Sequence, residues 1–114
     1  MLKNIEKASV LKLVDQIAFH EGQVSSKTLA QSKGVGLTLF SIPKGEGISA
    51  HKAPGDALVT VLEGKAKITI DDVDYEVSAG ESIVMPANIP HALYGIENFK
   101  FFLTVVFPSA DEKA

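Results

Sequence analysis

Three histidines carry most of the chemistry this sequence can offer: His20, His51 and His91. An imidazole can ligate a metal, move a proton near neutral pH, or sit buried and hydrogen-bonded as part of a core. His51 and His91 stand in matching surroundings. The first lies in 45–64 (GEGISAHKAPGDALVTVLEG), the second in 80–95 (GESIVMPANIPHALYG). Each stretch reads as a turn followed by a strand, with the histidine just past a glycine or proline bend. His20 lies outside both and reads as a surface residue. Other chemistries lack their parts. There is no Cys, hence no thiolate nucleophile and no Cys-ligated zinc. All eleven basic residues are Lys, so no guanidinium can clamp a carboxylate or phosphate. The glycine pairs 34/36 and 45/47 lack a following Lys-Ser/Thr, and Ser41, Ser49 and Ser82 have neither a nucleophile elbow nor a partner base.

The elements that must position the histidines are short strands. Residues 35–42 (VGLTLFSI) are β-branched and apolar and stop at Pro43. Residues 57–62 (ALVTVL) end at Glu63-Gly64. Residues 65–70 (KAKITI) alternate strictly, with Ala66, Ile68 and Ile70 on one face, as in a half-buried strand. The acidic turn 71–74 joins them to a strand at 75–78 (YEVS), making a hairpin. Residues 82–85 (SIVM) stop at Pro86, and 23–31 form a weaker, polar-rich strand. Residues 99–107 (FKFFLTVVF) are apolar on both faces, so both faces should be covered. Residues 10–19 (VLKLVDQIAF) fit helical and strand spacing equally well. Residues 108–114 (PSADEKA) read as a charged tail. No helix is required, and roughly six to eight strands at even spacing predict a sandwich or barrel.

Bulk properties agree. A chain of 114 residues, 46% hydrophobic, is sized for one domain spanning 1–114 with a proper core. Net charge is −3 with interspersed signs, which gives no nucleic-acid footprint. No stretch approaches the ~20 apolar residues of a membrane span, and no signal-peptide pattern opens the chain. The expectation is a soluble, cytoplasmic protein.

The two histidine stretches resemble the two motifs of the cupin superfamily. That family's first motif is Gly, five residues, His-x-His, three or four residues, Glu, six residues, Gly. Here Gly45, His51 and Gly64 match, while the second His falls on Ala53 and the Glu on Ala57. The second motif is Gly, five residues, Pro-x-Gly, two residues, His, three residues, Asn. Here Gly80, Pro86 and His91 match, Asn88 replaces the Gly and Gly95 the Asn. Asn88 suits a bend that needs positive φ. The resemblance implies an all-β, cupin-like jelly-roll barrel with motif one at 45–64 and motif two at 80–95.

The same resemblance places His51, Ala53, Ala57 and His91 around one pocket, with His51 and His91 as metal ligands. Two of the family's four ligands are then methyl groups. Catalytic zinc usually has three protein ligands, and facial-triad iron has two His and a carboxylate. Asp56 is the nearest carboxylate in sequence, but strand alternation turns it away from the side Ala57 faces. The implied cofactor is therefore a weakly held divalent metal (iron, manganese, nickel, copper or zinc), or none. Two functions follow: a module that binds a small organic ligand in the barrel, or a metal-dependent oxygenase, isomerase or decarboxylase-like enzyme with a reduced two-His site. No residue is assigned a catalytic role. Tyr75 and Tyr94 could reach the cavity. The expected partners are a small molecule and a second copy, with 99–107 and 10–19 as the homodimer surfaces, and neither nucleic acid nor membrane.

Overall fold

Turn residues divide the chain into strands, and the computed structural model, which describes residues 1–112, forms nine of them. They are β1 (Ser25–Gln31), β2 (Val35–Ile42), β3 (Gly47–His51), β4 (Asp56–Glu63), β5 (Lys65–Ile70), β6 (Val73–Ser78), β7 (Ser82–Met85), β8 (His91–Gly95) and β9 (Phe99–Val106). Nine exceeds the six to eight anticipated from sequence. The excess comes from β3 and β8, the short histidine-bearing strands broken off by Gly45 and Pro90. The strands make two antiparallel sheets, ordered β1-β2-β9-β4-β7 and β3-β8-β5-β6. This is the jelly-roll arrangement that the alternating pattern called for.

Inward-facing residues of both sheets build the main core, including Ile42, Val59, Val61, Ala66, Ile68, Phe99 and Phe101. The Phe101 ring stacks on Phe40 at 4.8 Å and on Phe99 at 5.5 Å between centroids. Burying each such ring contributes on the order of 1.5–3 kcal/mol. A second cluster lies on the outer face of the larger sheet, where Leu29 and Leu39, flanked by Leu37, Leu62 and Phe102, pack under Ile5, Leu13 and Ile17. Strand β9 is thus covered on its inner face and, up to Phe102, on its outer face, in keeping with apolar residues on both faces.

The covering segment 10–19 is neither the helix nor the strand its spacing allowed. It holds one 3₁₀ turn, Leu13–Gln16. Its carbonyls, without a sheet partner, are taken up by side chains from the sheet beneath. Lys100 Nζ donates to the Val14 carbonyl at 2.8 Å, Lys27 Nζ to Gln16 at 3.1 Å, and Ser41 Oγ to Ala18 at 2.8 Å. A buried carbonyl left unpaired costs about 1–3 kcal/mol, so these bonds hold the segment in place.

The β5–β6 turn also differs from its sequence reading. Asp71 and Asp72, at φ 48° and 68°, form a two-residue left-handed turn. Val73 and Asp74 therefore belong to β6, and Thr69 Oγ1 donates across the hairpin to Asp74 Oδ1 at 2.7 Å. Of the tail 108–114, Ala110–Glu112 makes a single 3₁₀ turn, and 113–114 lie outside the described residues.

Candidate functional site

The antiparallel register sets His51, the last residue of β3, directly opposite His91, the first of β8. Cross-strand partners share a face, so both imidazoles point to the same side, toward the space between the sheets. A register shift between Ile48 and His51 re-aims the end of β3. The rings meet edge to face, with centroids 4.3 Å apart and Nε2 to Nε2 3.1 Å. Each Nδ1 faces a backbone carbonyl: Ser49 O at 2.9 Å for His51, Ile89 O at 3.3 Å for His91. A carbonyl only accepts, so each of these two contacts is a hydrogen bond when Nδ1 carries the hydrogen. His91 is 4% exposed, whereas His51 is open to solvent. Burial pushes the His91 pKa below its ordinary 6.5, the neighbouring His51 pushes it further, and the bond to Ile89 opposes both.

Behind the pair is a cavity of about 270 Å³. His51, Ala53, Ala57 and His91 line it together with Phe40, Ile48, Met85, Leu93, Phe101, Leu103 and Val105. His51 and Ala53 share a side two residues apart, and Ala57 is 2% exposed on the inner face of β4. The two motifs are laced together at this end. The Asn88 amide donates to the Ala53 carbonyl at 2.7 Å, and the Ala87 amide to Asp56 Oδ1 at 2.8 Å. Asn88 takes φ 64°, the bend for which Asn stands in for Gly.

Three groups lie elsewhere. His20 is exposed and bonds Ser25 Oγ at 3.1 Å. Tyr75 and Tyr94 do not line the cavity. Both are exposed, with the Lys67 ammonium 5.2 Å from the Tyr94 ring. The aliphatic and aromatic wall (Phe40, Met85, Leu93, Phe101, Leu103, Val105) had been legible only as generic core. Its signal was strand alternation, since each wall residue shares the inner face with an already suspected site residue.

A metal centre requires more donors than this arrangement supplies. Among the described residues no three His, Cys, Asp or Glu side chains come together. Two imidazole nitrogens converge, but the positions that would complete the set are the methyl groups of Ala53 and Ala57, and the Asp56 carboxylate is engaged by the Ala87 amide. The donor set does not fit a tightly held metal.

Two face-to-face antiparallel sheets, with a cavity closed at one end by a histidine pair, define a jelly-roll barrel protein of the cupin class. Residues 38–107 match the family model of the cupin domain, and the chain belongs to that family. It is similar to a conserved protein of unknown function from Streptococcus pyogenes, with 50% identity, a TM-score of 0.92 and 96% of each chain covered. A cupin superfamily protein from Desulfitobacterium hafniense is 35% identical, with a TM-score of 0.90, covering 95% of this chain and 99% of that one. A cupin 2 conserved barrel domain protein from Leptotrichia buccalis is 45% identical, with a TM-score of 0.81, covering 84% of this chain and 47% of the other. No curated protein matches the chain. No helix among the described residues is long and apolar enough to cross a membrane.

Proposed function

We propose that this cupin is a single-domain cytoplasmic module that binds a compact organic ligand in the barrel without an obligatory metal. The observation that carries the reading is the cavity itself. Its volume of about 270 Å³ sits near the small end of ligand sites, roughly 300–1,000 Å³. Its walls are hydrocarbon apart from one thioether and the two imidazoles, the pattern of an apolar pocket with a few convergent polar groups. Ala53 and Ala57 contribute volume where larger polar side chains would remove it.

A metal-dependent enzyme is the second reading, and the convergence of the two Nε2 atoms favours it. One experiment separates the two. Untagged protein is assayed for metal by elemental mass spectrometry and screened by ligand-observed NMR against compact apolar fragments, alongside Ala57→Leu. The expected result is metal well below one equivalent, with several fragments binding to the native chain and lost in Ala57→Leu. That variant adds three carbons inside the cavity and takes up part of its volume. Near-equimolar metal with turnover of a substrate would reverse the order of the two readings.

The protein acts as a homodimer in this proposal. Residues 1–19 cover part of the outer face of β9, leaving Leu58, Val84 and Val106 (39, 51 and 56% exposed) as the uncovered apolar side chains on the larger sheet. Sedimentation velocity at micromolar concentration should show a dimer, and a Leu58→Lys/Val84→Glu variant a monomer. A native chain that sediments as a monomer would remove the dimer from the proposal.

A further inference from the structure

Hydrogen-bond bookkeeping at the polar end of the cavity defines what the ligand must bring. A neutral imidazole has one N–H and one lone pair. Ser49 O and Ile89 O, which only accept, favour the tautomer with that N–H at Nδ1 in both histidines. With both hydrogens at Nδ1, the two Nε2 atoms are acceptors that face one another across 3.1 Å. Charging the pair would supply the missing hydrogen. The remaining lining residues include no carboxylate to balance the charge. No other side chain of the lining can donate.

We propose, building on the ligand-binding reading above, that the cavity selects compact neutral molecules bearing a hydroxyl group, an alcohol or a phenol. The O–H donates to the Nε2 pair, and the apolar body rests between Ala57, Met85 and Phe101. Heads that only accept, such as ethers and ketones, would set a third lone pair against two. A carboxylate would bring an uncompensated charge into walls without a cation, which costs far more than a neutral hydroxyl. His91 is buried whereas His51 is open to solvent, so an analogue that leaves the pair unpaired loses most at His91.

The test uses the full chain, dialysed against a chelator, at about pH 8, above the ordinary histidine range. Phenol, anisole, toluene and benzoate are titrated by calorimetry or ligand-observed NMR. Phenol should bind at least about tenfold more tightly than anisole and benzoate, the ratio that about 1.4 kcal/mol of pairing supplies. His91→Leu should keep toluene binding and bring phenol and anisole within about twofold. His51→Leu, at an exposed position, makes the same comparison if the buried substitution does not fold. Toluene binding without preference for phenol would overturn the hydroxyl assignment and leave the cavity reading standing. Benzoate binding as tightly as phenol, or a phenol preference that emerges only after zinc is restored, would also overturn it. Failure of all four probes to bind at millimolar concentration would sink both the assignment and the reading beneath it.

Discussion

Replacing Ala53→His and Ala57→Glu together should make the chain take up one equivalent of zinc or iron tightly. Both alanines line the cavity that His51 and His91 enter, and the 51/53 spacing puts two side chains on one side of an extended segment. The double substitution raises the donor set from two imidazoles to three and a carboxylate, a number that suffices for a catalytic-type metal site. Even groups that merely orient a ligand are worth about 10- to 100-fold in metal affinity. Two direct ligands should therefore raise affinity by at least about 10²- to 10⁴-fold, with each single substitution between. Stability gives an independent readout. Ala57→Glu alone places a carboxyl against Met85 and Phe101, costing about 1–3 kcal/mol without metal. Saturating metal should return that loss to the double variant, because a ligand at a thousand times its Kd adds about 4 kcal/mol. Elemental analysis and thermal melts with and without zinc check both halves. An affinity no higher than that of the native chain would mean that positions 53 and 57 do not aim at the Nε2 pair.

The same pair of alanines shows what was legible in the sequence. Strands bounded by strong turn residues were readable to the residue, as at 35–42, 65–70 and 82–85. Motif spacing alone groups His51, Ala53, Ala57 and His91, and all four line one cavity. Segment 10–19 was not readable, because its conformation is set by partners far away in sequence. Ser41 lies 23 residues from Ala18, and Lys100 lies 86 from Val14. No local periodicity encodes such bonds. The turn at 71–72 was overestimated because four consecutive residues looked turn-like, whereas two left-handed Asp residues suffice to reverse the chain. Nothing in the strand pattern around Phe40 and Met85 marks them as cavity wall rather than core. Core and wall obey the same alternation, and they differ only in whether the space opposite is filled, a property of the assembled sheets. The setting of the Nε2 pair was equally hidden, because it depends on where the Ser49 and Ile89 carbonyls point.

Gly64→Ala should be the most damaging single-methyl change in the barrel. Gly64 separates β4 of the larger sheet from β5 of the smaller one, so the chain crosses between sheets at this residue. Its φ is 81°, a region that costs an L side chain roughly 1–2 kcal/mol. Space adds to that cost, because a Cβ here would run into the carbonyl oxygen of Asn98 and come within 2.9 Å of the Phe99 Cα. Both obstacles are backbone, so no rotamer change relieves them. The corner is also tied by the Ala79 amide to the Gly64 carbonyl at 3.1 Å and the Glu97 amide to the Lys65 carbonyl at 3.1 Å. Phe99, fully buried, would have to move with its strand. A loss of about 3–5 kcal/mol is expected, a large share of the roughly 5–15 kcal/mol that holds such a domain folded. Gly80→Ala supplies the control. Its φ of 88° is as unfavourable, but nothing lies within 4 Å of its added methyl. It should cost only about 1 kcal/mol. Urea unfolding of the two variants therefore separates backbone conformation from backbone proximity. Equal, small shifts would show that the β4–β5 corner can open at little cost. A large shift confined to Gly64→Ala, with cavity binding lost at the same denaturant concentration, would show that this close approach holds the two sheets, and the cavity between them, in place.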